Sequence, residues 1–391
     1  MTTGAPRRAG LRVAGRHVLH RSMSTLPLRR VPSLVVLAML AAACSSGGAT
    51  APGTTAPVPP SPVATCTFTN PVLAGADPSL VQKDGFYYFV QSSNNGIFVY
   101  KSRELTLPAQ NAVQVWTPPD TGWNRTNLWA PELQYHDGKW YIYYAAGRAG
   151  PPFIHQRSGV LESTSDDPQG RYVDRGMLYT GDSIATRGTP QWAIDLTVHR
   201  MGGQLYAVWS GWEAQASTDR TPQHLYIARM SSPTAIASNR VRISSPTAAW
   251  EQRSAPDGLE LQEGPEFLER GDQRFIVYST GESWLPAYKL GMLRMTGPNA
   301  DPMDPASYVK SSGPVFQSAN GVFGVGHHTF AKSPDGREDW LVYHAKTSTT
   351  PGWGDRRIRM QPFTWAADGT PQFGSPVSSG TALPRPSGEC Q

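Results

Sequence analysis

Gly75-Ala76-Asp77-Pro78-Ser79-Leu80 puts a carboxylate at the mouth of a short strand, and the same kind of stretch returns four times further on. The echoes are Trp129-Ala130-Pro131-Glu132-Leu133, Ala193-Ile194-Asp195-Leu196-Thr197-Val198, Glu263-Gly264-Pro265-Glu266-Phe267 and Gly326-His327-His328-Thr329-Phe330. Each is followed, after a turn carrying Gly or Asp, by an aromatic-rich strand: Phe86 to Ser92, Trp140 to Ala146, Leu205 to Ser210, Arg274 to Ser279 and Trp340 to Ala345. Between Tyr87, Tyr141, Tyr206, Phe275 and Trp340, at the starts of these strands, the spacing is 54 to 69 residues, room for one antiparallel sheet of about four strands per repeat. Five such units predict an all-β chain folded as a five-bladed β-propeller.

The first strand of each propeller blade lines the central channel, so equivalent residues of successive first strands converge on one axis. Aligned on the apolar residue that follows (Leu80, Leu133, Val198, Phe267, Phe330), the shared place is held by Asp77, Ala130, Asp195, Gly264 and His327, with Glu263 one residue earlier. Three carboxylates and an imidazole are thereby brought from distant segments into one cup. A scaffold has no need of that collection, because acids are almost never buried without a partner.

The remaining composition fits this reading. The 391 residues include 38 Gly and 35 Pro and only 17% charged residues, which suits a large all-β domain with many turns. The formal charge of +5 arises at the N-terminus: residues 1–43 hold seven Arg and no acid, and without them 28 basic residues face 30 acidic ones. A basic protein seeking nucleic acid is therefore not what remains. Arg29-Arg30, the apolar run Val31 to Leu40 and Ala41-Ala42-Ala43 before Cys44 read as a targeting segment whose apolar run is too short to span a bilayer. Small residues directly before a Cys resemble a bacterial lipoprotein signal with Cys44 lipidated; an ordinary secretory peptide cut nearby is the alternative, and Met23 is an alternative start. Residues 44–65, rich in Ser, Gly, Thr and Pro, read as a flexible tether, and 66–391 as the propeller. An exported monomer is expected, touching a membrane only through the lipid on Cys44. Cys66 and Cys390 are most simply one disulfide joining first and last blades, the alternative being two free buried thiols. Only Leu105 to Val113 and Pro305 to Lys310 leave room for a helical turn.

Two carboxylates held apart across a sugar are the working parts of glycoside hydrolysis: one protonates the leaving oxygen and the other, ionised, activates water. A third carboxylate raises the pKa of the acid by like-charge repulsion, so that it keeps its proton near neutral pH. Trp129, Trp209 and Trp212 are candidates to offer a face to a sugar ring, and packing in the core is their alternative.

The set Ala76-Asp77-Pro78, Trp129-Ala130-Pro131-Glu132, Asp195, Glu263-Gly264-Pro265, Gly326-His327 and Arg356 through Gln361 resembles glycoside hydrolase family 43, five-bladed propellers acting with inversion on arabinose- and xylose-containing polysaccharides. The likeness runs from Asn70 to about Pro376. It implies Asp77 as general base, Glu263 as general acid, Asp195 as modulator of that acid, and Arg356 as a ligand of sugar hydroxyls, with Arg357 the alternative. Glu266 is a rival to Glu263 that falls later in its strand. His327 matches a channel histidine that in several relatives helps hold a cation (calcium or sodium) or a water; no cofactor is required. Asp195-Leu196 stands where many relatives have Asp-Pro, and Gly324-Val325-Gly326-His327 where Gly-Pro-Gly-His is common. Gln191 to Asp195, Val208 to Glu213, Tyr343 to Ala345 and Gln361 to Trp365 look most like the exo-acting α-L-arabinofuranosidases of the family. The chain is expected to lack the C-terminal β-sandwich of many β-xylosidases. Expected, then, is release of arabinofuranose from arabinan or arabinose-decorated polysaccharides; the alternatives are a β-xylosidase, an endo-arabinanase, or a propeller that binds glycans without cutting them.

Overall fold

Tyr87-Tyr88-Phe89-Val90 shows why the aromatic strands read as unbroken apolar runs: strand side chains alternate between two faces, and here both faces are covered. Tyr87 and Phe89 pack with Trp340, Val342, Ile358 and Met360 of the fifth repeat. Tyr88 and Val90 turn the other way, onto Leu133, Trp140, Ile142 and Tyr144 of the second. The alternation continues around the molecule. Tyr141 and Tyr143 meet Val198, Ala207 and Trp209; Tyr206 and Val208 meet Ile276 and Tyr278; Phe275 and Val277 meet Leu341 and Tyr343. Five repeats thus share five apolar interfaces, and the interface between the fifth and the first makes the arrangement a ring.

The computed structural model describes residues 66–252 and 258–390. The readings for residues 1–43 and 44–65 lie outside them. The molecule is an all-β five-bladed propeller, as the repeats predict. Blade one is Ser79–Lys83, Phe86–Ser93, Gly96–Ser102 and Val113–Trp116. Blade two is Thr126–His136, Lys139–Gly147, Arg157–Ser163 and Tyr172–Met177. Blade three is Ala193–Met201, Gln204–Gly211 and His224–Ser232, edged by Ala235–Ile236 and Val241–Ser244. Blade four is Gln262–Arg270, Gln273–Thr280, Lys289–Met295 and Tyr308–Lys310. All neighbouring strands are antiparallel.

Blade five supplies three strands in sequence, Phe323–Lys332, Asp339–Lys346 and Arg356–Trp365, and takes its outer strand from the start of the domain. Leu73 pairs with Ile358 and Ala74 with Arg357. The termini are joined a second time by pairing of Thr67–Thr69 with Ala382–Pro384, and a third time by the Cys66–Cys390 disulfide.

The two helical expectations fare differently. Pro305–Ser307 is a single 3-10 turn capped by the Asp304 side chain, which accepts from the Ala306 N–H. Residues 105–112 form turns and bends instead, with the Thr106 N–H donating to the Glu389 side chain. A further 3-10 turn at Ala249–Glu251 carried no sequence signal: its Glu251 is fully buried, bonded by Gln262, Tyr278 and Lys310.

Candidate active site

The five aligned channel positions share one backbone state. Asp77, Ala130, Asp195, Gly264 and His327 all have positive φ, between 39° and 53°. That region is sparsely used by residues with a Cβ, so its recurrence at one place in every blade is a property of the architecture. In blades two to five the pairing of first and second strands slips at this place, between Trp129 and Glu132, Ile194 and Thr197, Glu263 and Glu266, and Gly326 and His328. In blade one Asp77 sits just ahead of the ladder, which begins at Ser79. A bulge of this kind turns a residue away from its pleat; in blades two to five it turns the residue at this place toward the axis.

The backbone donors left over by these bulges are satisfied by neighbouring side chains, which locks the cup together. The Asp77 N–H reaches His344 Nδ1 at 3.2 Å, the Gly264 N–H donates to Asp195 Oδ2 at 3.0 Å, and the His327 N–H donates to Ser279 Oγ at 2.8 Å. Two glycines make the room. A Cβ on Gly264 would stand 3.2 Å from Cγ of His327, and one on Gly326 would stand 2.3 Å from the Tyr288 ring.

Asp77 is the hub. Its Oδ1 lies 3.2 Å from Arg356 Nη1, 3.2 Å from His344 Nδ1 and 3.3 Å from His327 Nδ1. Burial would push this carboxyl up, but Arg356, His327 and His344 outweigh it and hold it well below the ordinary carboxylate range. Asp77 is therefore ionised at any working pH. The other two acids behave in the opposite way. Burial, then the negative charges of Glu263 and Asp77, push Asp195 well up against the pull of the Gly264 N–H. Burial and Asp77 push Glu263 up to about 7, although the Tyr288 hydroxyl donates to its Oε1 at 2.7 Å and favours the ionised form. Asp195 and Glu263 repel each other when both are charged, so near neutral pH the pair retains a proton. The arrangement can thus hold a base and an acid side by side.

Most of the residues singled out in the sequence meet here. A cavity of about 500 Å³ opens over Asp77, Ala130, Trp129 and Arg356. Arg357, the alternative to Arg356, also lines it but spends its guanidinium on the carbonyls of Gly354 and Arg356. Trp129 is braced edge-on by Phe153, with ring centroids 4.9 Å apart. Glu266 belongs to a different place. With Ser79, Thr197 and Thr329 it lines a second cavity of about 190 Å³, further along the first strands. These four residues and the buried Glu132 each stand two positions after the left-handed residue of their blade, forming a polar layer beneath the first. Burial, then the charge of Glu266, pushes Glu132 up; burial pushes Glu266 up to about 8.

Trp209 and Trp212 require correction. Both are 0% exposed, Trp209 in the apolar interface between blades two and three and Trp212 stacked on Trp192 at 4.4 Å, so neither offers a face to a sugar. The donor set around His327 does not fit a cation held by several protein ligands. Its Nδ1 faces Asp77 and Asp195, at 3.3 and 3.9 Å, and among the described residues no three His, Cys, Asp or Glu side chains converge as metal ligands. Three residues escaped the sequence reading as members of the site: Tyr288, His344 and Trp353. His344 lay within a stretch noted for resemblance; the rings of Tyr288 and His344 stack at 5.5 Å, coupling the partner of Glu263 to a partner of Asp77.

The chain matches the model of Glycosyl hydrolases family 43 over residues 68–371. It is 34% identical over 328 residues to an extracellular exo-alpha-(1->5)-L-arabinofuranosidase of Streptomyces avermitilis, a match covering 80% of this chain and 64% of that protein. It is 33% identical over 326 residues to alpha-L-arabinofuranosidase 43 of Humicola insolens, covering 79% and 63%. The chain therefore spans just under two thirds of the length of these curated relatives. A crystal structure of alpha-L-arabinofuranosidase from Lactobacillus brevis superposes with a TM-score of 0.72 at 32% identity, over 80% of this chain and 98% of that one.

Proposed function

Because the chain belongs to family 43 of the glycosyl hydrolases, we propose that it is an inverting, exo-acting α-L-arabinofuranosidase cutting arabinan or arabinose-decorated glycans. One observation carries the reading: the Asp77 carboxylate stands 3.2 Å from the Arg356 guanidinium, beside His327 and His344, while Asp195 and Glu263 are buried next to it without, among the described residues, an Arg or Lys partner of their own and are pushed up by that burial. Asp77 takes a proton from water as its oxygen attacks the anomeric carbon. Glu263 gives its proton to the glycosidic oxygen as that bond breaks on the opposite face. Asp195 keeps Glu263 protonated, Arg356 orients both Asp77 and the sugar hydroxyls, and Trp129 walls the sugar. No step passes through a metal.

The test is release of nitrophenol from p-nitrophenyl α-L-arabinofuranoside compared with the β-D-xyloside, with proton NMR of the first-formed sugar. Turnover of the arabinoside with the opposite anomer appearing first is expected. Preference for the xyloside would reassign the substrate, and retention of the anomer would defeat the mechanism. Replacement of Asp77 by Ala should abolish turnover of every substrate, whereas Glu263→Ala should keep more of its rate on aryl arabinosides, whose leaving group departs without a proton.

The same reading includes export of a monomer with a lipid on Cys44, supported by the small residues before that cysteine and by relatives in Streptomyces avermitilis and Streptomyces chartreusis that are named extracellular. A Cys44→Ser protein should leave the membrane fraction for the medium. Equal recovery of both proteins in the soluble fraction would reject the anchor.

A further inference from the structure

Trp353 is 49% exposed, yet its ring is held at two points. It lines the 500 Å³ cavity together with Asp77, Trp129 and Arg356. Its indole Nε1 donates to Ser283 Oγ at 3.1 Å, and its ring stands edge-on to Trp284 at 5.3 Å and 72°. The neighbouring Gly352 N–H donates to the Trp284 carbonyl at 2.8 Å. On the other flank the Trp353 carbonyl accepts from Arg356 Nε at 3.3 Å, while Arg356 Nη1 holds Asp77. The loop base is clamped as well: the buried Lys346 ammonium bonds Gly352 and Asp355, and Asp355 also accepts from Ser348. Leaving half an indole in water forgoes the burial that a large aromatic usually gains. A ring that is both open and immobilised is preorganised for a flat apolar partner.

The segment that braces the ring identifies that partner. Ser283 and Trp284 lie on the loop between the second and third strands of blade four, and that loop ends at Tyr288, which holds Glu263. On the proposed reading Glu263 protonates the leaving oxygen, so the departing group lies toward blade four. We propose that Trp353 is the platform for the first sugar of the leaving group, stacking on its C–H face, and that the preferred substrate is accordingly an oligosaccharide or polysaccharide rather than a small arabinoside. This inference rests on the reading above. Arg356 joins the Trp353 carbonyl to Asp77, which ties the platform to the general base.

The test compares α-1,5-arabinotriose with α-L-arabinofuranosyl fluoride, which carries no leaving-group sugar, for wild type, Trp353→Ala and Trp353→Phe. On the trisaccharide, Trp353→Ala should raise KM about tenfold with kcat changed less than about threefold, and Trp353→Phe should restore most of the loss, since it keeps the face and gives up only the bond to Ser283. On the fluoride, kcat/KM of the Ala variant should fall less than about twofold. Equal losses on both substrates, or none on the trisaccharide, would overturn the inference while leaving the enzyme an arabinofuranosidase. A Phe variant as impaired as the Ala variant would overturn it too. Wild type inactive on both substrates would overturn the functional reading and this inference together.

Discussion

Tyr288 and Asp195 act on the Glu263 proton with opposite signs. The Tyr288 hydroxyl bonds Glu263 Oε1 and so favours its ionised form, whereas burial and the charge of Asp77 disfavour it, and Asp195, which repels Glu263 when both are charged, adds to that repulsion whenever it is ionised. Glu263 must be protonated to act, so activity falls as pH rises through its pKa, near 7. Replacing Tyr288 by Phe should move the alkaline limb of the pH profile up, by as much as about one unit for a lost hydrogen bond to a charged group. Replacing Asp195 by Asn should move it down. Profiles of kcat/KM would show both shifts, and an unmoved limb in Asp195→Asn with activity lost would reassign Asp195 to substrate binding. The acids were legible in the sequence because each stands at a fixed offset from an apolar anchor that recurs in every blade. Tyr288, His344 and Trp353 were not, because they come from second-strand ends and loops whose lengths differ between blades. Trp209 was misread because Val208-Trp209-Ser210 belongs to a strand covered on both faces, where composition cannot tell which way a ring points.

At the scale of the strand, the bulge converts a packing element into a catalytic one. Without it, Asp195 and His327 would follow their pleats and not converge on Asp77, which stands ahead of its own ladder. The five channel positions share one offset from an apolar anchor in the sequence, and their five positive φ values are the conformational counterpart. The bulge itself was not legible, since Ala130, unlike Gly264, gives no hint of a left-handed backbone. This makes a contrast between two small substitutions. Gly264→Ala puts a Cβ on a residue at φ 53° and brings it 3.2 Å from the His327 ring. It should cost about 1–2 kcal/mol in stability and lower activity by displacing His327 from Asp77. Ala130→Gly relieves the same kind of strain at φ 39° and offsets it with chain entropy, so stability should change by less than about 1 kcal/mol. Thermal melts with parallel rate measurements check both; equal effects would mean that the bulge conformation is not under strain.

At the scale of the whole molecule, three separate links hold the ends together: the Leu73–Ala74 strand on blade five, the Thr67–Thr69 pairing with Ala382–Pro384, and the Cys66–Cys390 bridge. The disulfide closes nearly the whole domain, for which loop entropy sets a ceiling of about 5–6 kcal/mol. The two strand pairings already restrain the same ends, so the measured loss should fall below that ceiling. The double variant Cys66→Ser, Cys390→Ser should melt lower than wild type and become indifferent to reductant. An identical melting temperature would show that the strand pairings alone close the ring.

The outer strand of blade five has a consequence in time as well as in space. Ala74 pairs with Arg357, next to the Arg356 that holds Asp77. An early part of the domain to leave a ribosome or a secretion channel therefore completes a late one, and it must wait through the synthesis of four blades before its partner exists. Contacts of such sequence separation form slowly. A chain interrupted before blade five would have produced Asp77, Asp195 and Glu263 and assembled none of them into an acid and a base, so hydrolytic activity in a growing or cleaved chain reports the closing of the circle itself.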